Sequence, residues 1–321
     1  MNVKDEVIVA ESRIRKYIRT TSLDLSPILS QICKANIYLK LESEQLTGSF
    51  KIRGALNKLF SLTEAEKAKG VVTASTGNHG LAIAYGLSML NIPGTIYLPE
   101  TTPKNKIEPF TEYKAALEFY GDDTVKTESF AREQAIKKGM IYISPYNDKE
   151  VIAGQGTIGI ELEQQLATLD VIFVPVGGGG LITGIAGYLK SSKNKNTMIL
   201  GCLPKASPVM YKSIKAGKIV NMDSEETLSD ATAGGIDPDS ITFDLCKEYV
   251  DDYYLITEEE IKKAVFLMLD KHHKLVEGAS ALTIAALLAN KEKFRNKNIV
   301  LVLSGSNIGV DKVKKIIQEN S

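Results

Sequence analysis

From about residue 36 onward, short runs rich in β-branched and aromatic residues alternate with longer stretches of helical spacing, which predicts an α/β fold built on parallel strands. Strands are expected at 36–42 (NIYLKLE), 70–74, 94–99 (GTIYLP), 116–121 (ALEFYG) and 140–145 (MIYISP), with helices at 81–90 and around 104–116. A second series begins at 171–176 (VIFVPV) and continues at 198–203, 253–257 and 298–304. Helical patterns at 181–190, 259–270 and 279–290 separate these strands, and the chain ends on another, DKVKKIIQEN. The run from about 68 to 145 holds its own βαβαβ alternation, so two lobes are expected: a small one over 66–146, mobile over a cleft, and a large one made from 1–65 and 147–321.

Bulk properties narrow the class of partner. Lys plus Arg and Asp plus Glu stand at 39 each in 321 residues, which leaves no net basic field for nucleic acid or anionic lipid. No apolar stretch reaches the roughly 20 residues needed to span a bilayer, and the first residues lack the pattern of a signal peptide. A cytoplasmic protein with a small-molecule ligand is expected. Cys33, Cys202 and Cys246 fit no metal or disulfide spacing and are expected to be reduced packing residues.

Four clusters break ordinary α/β punctuation. Gly177, Gly178, Gly179 and Gly180 lie between an apolar strand and a helical pattern, where bare backbone amides can surround an anion at a helix N-terminus. A dinucleotide site would want an acid roughly 20 residues further on; Leu203 and Pro204 stand there, so a single phosphate group is expected. In Thr47-Gly48-Ser49-Phe50-Lys51 the lysine opens a helix, and the positive end of the helix dipole disfavours its charge, as a Schiff-base amine requires. Ser75-Thr76-Gly77-Asn78-His79-Gly80 offers hydroxyls and amides suited to a carboxylate. His79 has no Asp partner at a recognisable spacing and is read as positional. The fourth cluster, Ser304-Gly305-Ser306-Asn307, follows the apolar strand NIVLV. All four are expected beyond the carboxyl ends of strands, where ligands of such sheets sit.

Taken together, SRIRKYIRTTSL, GSFKIRGA, STGNHG, VIAGQGTIGIE, PVGGGGLITGIA, VEGASAL and LSGSN resemble, in order and spacing, the serine/threonine dehydratase branch of the fold-type II pyridoxal-phosphate (PLP) enzymes, which includes serine racemase. The resemblance implies two open, mostly parallel twisted sheets flanked by helices, as in the tryptophan synthase β chain, and a homodimer. It implies that Lys51 carries PLP as a Schiff base with Phe50 beside the ring. Gly177, Gly178, Gly179 and Gly180 would hold the phosphate, Asn78 the ring hydroxyl, and Ser304 would face the pyridine nitrogen, with the acid Glu277 close by. Ser75, Thr76, Gly77, His79 and Tyr146 would bind or shape the substrate end.

The implied activity is dehydration and deamination of a small β-hydroxy amino acid, L-threonine or L-serine, to a 2-oxo acid and ammonia, with Lys51 and Thr76 catalytic. Thr76 keeps racemisation open, because a hydroxyl there can return a proton from the opposite face. The wording of Asp230-Ala231-Thr232-Ala233-Gly234-Gly235 keeps 3-hydroxyaspartate or a hydroxyectoine breakdown product open as substrate. A replacement enzyme using a second nucleophile is a further alternative. The segment 203–209 lacks the oxygen ligands of metal-activated relatives, so no metal is expected. Nor is a segment for amino-acid feedback control.

Overall fold

A computed structural model describes residues 2–113 and 115–320. Its strands, in chain order, are β1 (Leu23–Leu25), β2 (Asn36–Lys40), β3 (Val71–Ala74), β4 (Gly94–Leu98), β5 (Ala116–Phe119), β6 (Ile141–Tyr142), β7 (Val171–Pro175), β8 (Met198–Pro204), β9 (Asp252–Ile256) and β10 (Asn298–Val302). They form two sheets. The larger runs β1-β2-β10-β7-β8-β9 and is parallel except at the β1 edge, while the smaller runs β5-β4-β3-β6 and is parallel throughout.

The unbroken apolar character of β7 and β10 follows from helices on both faces. Side chains alternate across a strand. Val171, Phe173, Ile299 and Leu301 therefore enter one core, with the helices Glu258–His272 and Gly278–Ala289. Ile172, Val174, Val300 and Val302 enter the other, with Val3–Ile14, Lys149–Gln165 and Gly180–Leu189. The three cysteines are free and buried. Between the sheets lies the helix Lys51–Ser61, whose Ile52, Ala55, Leu56 and Leu59 form one stripe against Ala82, Ile83 and Leu87 of the helix Asn78–Leu90 and against Val151.

One expectation is corrected. The helix expected around 104–116 is only one turn, Lys104–Ile107, followed by a 3₁₀ segment, Glu108–Glu112. Pro109 explains the break, since it has no N–H and its ring crowds the carbonyl four residues back. The Lys51 cluster lies beyond the carboxyl end of β2, reached through a 3₁₀ turn, Glu42–Glu44, and a loop.

What fixes this helix is a set of charges sealed from water. Arg53 donates to both oxygens of Glu42, at 2.7 and 2.8 Å, and to Glu161 Oε1 at 2.7 Å. Lys40 closes the set on Glu161 Oε2 at 2.5 Å, and each of the four side chains is at most 1% exposed. Glu161 titrates near 2: its own burial raises the value, but Arg53 and then Lys40 hold it down. The depressed value means that this carboxylate's stabilisation is present above the ordinary value of 4.5 and is lost as the pH falls through about 2. Replacing Arg53 by Met leaves the buried Glu42 carboxylate without its ion-pair partner and strips one of the partners of Glu161, so urea denaturation at pH 7 should show a loss of about 3–5 kcal/mol. A change below about 1 kcal/mol would mean that the cluster does not anchor the helix.

Candidate active site

The clusters converge where strands of both sheets end. β7 runs out at Pro175 and the chain turns through the glycines into the helix Gly180–Leu189. Gly179 holds a φ of +89°, in the left-handed region, and a Cβ on Gly178 would come within 2.3 Å of Tyr146 Cγ, so both positions need glycine. Thr242 Oγ1 donates to the Gly178 carbonyl at 2.6 Å and Thr183 Oγ1 to that of Gly179 at 2.8 Å. With these carbonyls occupied, the amides of Gly177, Gly178 and Gly179 find no acceptor among the described residues. They are spare donors at the positive end of a helix.

β10 ends just before Ser304, which is buried, with its hydroxyl 3.4 Å from Ser280 Oγ. The Ser304 carbonyl accepts from the Phe50 amide at 3.0 Å, and Ser49 and Gly305 form an antiparallel bridge. That pairing places Lys51 beside the end of the large sheet. Lys51, the first residue of its helix, donates Nζ to the Pro145 carbonyl at 2.9 Å and lies 5.2 Å from the centre of the Phe50 ring. Burial, the dominant cause, pulls its amine down to about 8, and the carboxyl of Glu277 pulls weakly the other way. Desolvation, and not the helix dipole expected from the sequence, is the leading cause of this shift.

Glu277 is the N-cap residue of the helix Gly278–Ala289, yet its side chain makes no cap. It turns to Asn78, whose Nδ2 donates to both carboxylate oxygens at 3.0 Å. Burial raises this carboxyl to about 7, opposed chiefly by the Asn78 hydrogen bond. β3 delivers the remaining cluster: Ser75 and Thr76 are partly exposed and Gly77 is exposed, at the start of the helix Asn78–Leu90. Ser75 Oγ accepts from the Gly77 amide at 3.3 Å.

His79 is buried with Nε2 at 3.3 Å from the Ile143 carbonyl and no partner on Nδ1. Burial, with Lys51 adding to it, holds the imidazole down to about 3, so it is neutral at pH 7. Tyr146 lays its ring against the glycine turn and accepts at its hydroxyl from the Asp237 amide at 2.8 Å. Three participants were not picked out from the sequence. The Pro145 carbonyl carries no side-chain signal. Arg53 and Asn307 lay inside quoted motifs without a role.

A half-buried, weakly basic lysine held on the Pro145 carbonyl, next to the Tyr146 ring that packs on the glycine turn, agrees with the comparisons to known proteins. The family model described as "Pyridoxal-phosphate dependent enzyme" matches residues 14–305. The chain belongs to the pyridoxal-phosphate-dependent enzymes. Within them it falls in the serine/threonine dehydratase branch of fold type II. The catabolic L-threonine dehydratase TdcB of Escherichia coli K12 is 39% identical over 317 residues, covering 97% of this chain and 95% of that protein. The structure of maize serine racemase superposes with a TM-score of 0.92 at 30% identity, covering 98% of this chain and 97% of that one. The processed threonine deaminase isoform 2 of Solanum lycopersicum gives 0.94 at 33% identity, covering 99% and 87%.

The donor set of this PLP enzyme fits its cofactor. An amine near 8 is half unprotonated at about that pH and keeps a far larger free-base share near neutrality than an ordinary lysine, which suits imine formation, and the spare glycine amides match a phosphate dianion. In cofactor-free protein, competitive acetylation followed by mass spectrometry should show Lys51 modified with a half-maximal pH near 8. A midpoint above about 10, where ordinary lysines titrate, would contradict the assigned environment.

Proposed function

We propose that the chain deaminates a small β-hydroxy amino acid, L-threonine or L-serine, to the 2-oxo acid and ammonia. The observation that carries this reading is the placement of Lys51: its Nζ donates to the Pro145 carbonyl at 2.9 Å, beside the Tyr146 that packs on the glycine turn, and the Phe50 amide ties its helix to the Ser304 carbonyl at 3.0 Å. PLP, when bound, supplies an electron sink for the pair left by the departing α-proton.

The protein's own groups then divide the work. Lys51 holds the cofactor and takes the α-proton, a task suited to an amine that titrates near the working pH. Gly177, Gly178, Gly179 and Gly180 hold the phosphate, Asn78 and Phe50 the ring. Ser304, an alcohol, offers the ring nitrogen a hydrogen bond and not a formal charge. With PLP bound, such a partner would moderate the electron sink the cofactor supplies, which suits elimination of the β-hydroxyl. Glu277 exchanges a proton with its surroundings near pH 7. Ser75, Thr76 and the amide of Gly77 receive the substrate carboxylate, and Tyr146 closes the substrate end. His79, neutral and turned to the Ile143 carbonyl, shapes this turn and abstracts no proton.

The segment 66–146 is read as a small domain that moves over the cleft. Its ties to the large sheet's loops include the pairs Lys106 with Asp230 at 3.1 Å and Arg132 with Asp237 at 3.0 Å. Such partly exposed pairs are worth about 0–1 kcal/mol each, so they are easily exchanged. A cytoplasmic homodimer is part of the same reading; the dimer rests on the family resemblance alone.

Racemisation is a second reading, favoured by the partly exposed Thr76 hydroxyl on the turn after β3. Purified protein should release keto acid and ammonia from L-threonine or L-serine without any added thiol, and Lys51→Ala should abolish this. Release only in the presence of a thiol would turn the assignment to a replacement enzyme. D-Serine formed from L-serine, and lost in Thr76→Ala, would establish the second activity; its absence removes that reading.

Gly178→Ala must displace the Tyr146 ring, because the new Cβ would lie 2.3 Å from it. Equilibrium titration should show PLP affinity falling by about tenfold or more, the equivalent of roughly 1.4 kcal/mol. Unchanged affinity would remove the glycine turn from the phosphate assignment.

A further inference from the structure

Asn307 lies past the end of β10 and has no place in the assignments above, yet its side chain joins two groups of the site. Its Nδ2 donates to the Thr47 carbonyl at 3.0 Å and to Asn78 Oδ1 at 2.6 Å. Asn78 in turn gives Nδ2 to both oxygens of Glu277 at 3.0 Å, and the Asn307 backbone amide also donates to Glu277. An amide side chain has one face that only accepts and one that only donates. At one end of this chain stands a backbone carbonyl, which can only accept; at the other stands a carboxylate, which when ionised can only accept. The orientation of both amides is therefore determined: Asn307 must turn its nitrogen to Thr47 and Asn78, and Asn78 must turn its nitrogen to Glu277. Both Glu277 oxygens lie 3.0 Å from the one nitrogen, in nearly the same direction, so a single N–H is shared between them and the other is left for a ring oxygen of the cofactor.

We propose that Asn307 is a positioning residue of the cofactor site, whose amide nitrogen sets which way the Asn78 amide faces and hence which atom Asn78 offers to Glu277 and to PLP. The inference rests on the reading that Asn78 contacts the cofactor. Although Asn307 is itself exposed, Asn78 and Glu277 are buried, so a reversed Asn78 amide sets oxygen against oxygen where water cannot screen it. The charged groups that bear on Glu277 are Lys51 and Asp230, and neither takes part in the amide chain.

The test is a double-mutant cycle on PLP affinity at pH 8, measured by equilibrium titration of cofactor-free protein. Asn307→Asp keeps the shape but replaces the donor by a carboxylate oxygen, so Asn78 reverses to donate to it and presents its own oxygen to Glu277 and to the pocket. Affinity should fall about 10- to 100-fold. In a Glu277→Gln background, the introduced side-chain amide can donate to the reversed Asn78, and the same Asn307→Asp change should cost less than about threefold. Equal penalties in the two backgrounds would overturn the proposal, since the cost of Asn307→Asp would then not depend on what the Asn78 amide meets at 277. Thermal unfolding checks that each variant is folded. If Asn307→Asp is not, Asn307→Ala takes its place, with an expected loss of about 3- to 10-fold that again shrinks in the Glu277→Gln background. A parent protein that binds no PLP would overturn the functional reading itself, an outcome separate from an additive cycle.

Discussion

Four buried charges, Arg53, Lys40, Glu42 and Glu161, constrain everything around the site. Formally they cancel, two positive against two negative, and the cancellation is what makes their burial tolerable. Such a set contributes little net stability over well-packed apolar residues, but its geometry is demanding: the planar guanidinium of Arg53 fits only where both carboxylates stand in place. Arg53 is two residues beyond Lys51 on the same helix. Glu42 lies just past β2, and Glu161 lies on the helix Lys149–Gln165, which starts three residues after Tyr146. One cluster therefore sets the lysine, its loop and the wall that carries Tyr146 relative to one another.

Within that frame, desolvation acts on two groups of opposite charge type. It lowers the Lys51 amine to about 8 and raises the Glu277 carboxyl to about 7, each because the charged form loses water. Their mutual attraction opposes both shifts and does not cancel them. Two groups that ordinarily differ by about six units are thereby brought within about one unit, so near neutral pH a proton can reside on either at small cost. His79, lowered by burial as Lys51 is but from a lower starting value, to about 3, is removed from this exchange. The pocket thus has a narrow set of proton carriers even though several titratable side chains crowd it.

Much of this was legible in the chain. The parallel strands announced themselves as apolar runs, and the glycine turn, the lysine and the strand-end serines departed from ordinary loop composition. The helix Val3–Ile14 was readable in principle, since Val3, Val7, Ala10 and Ile14 recur at helical spacing, but charged residues between them dilute the pattern. Lys149–Gln165 was harder. Its Gly154 and Gly156 suggest a loop by propensity, whereas a Cβ on Gly154 would lie 2.5 Å from the Arg53 carbonyl and one on Gly156 2.8 Å from the Gly184 carbonyl. These residues let helix backbones approach, and only tertiary contact shows it. Arg53 and Asn307 failed for a related reason: an arginine or asparagine in a motif has no direction until its acceptors are placed.

The direction of a hydrogen bond is the kind of information that separates recognising this site from explaining it. Residue types at Asn78 and Glu277 are compatible with several arrangements, including one in which the amide faces the carboxylate with its oxygen and the carboxyl is held protonated. The backbone carbonyl of Thr47 breaks this symmetry, because it accepts and never donates. That preference passes through Asn307 to Asn78 and reaches Glu277 as a pair of donated bonds, which favour the ionised carboxyl against the pull of burial. A main-chain atom in the loop leading to Lys51 thus biases the charge of the acid that faces Lys51, and the loop's conformation and the site's proton balance become one property of the fold.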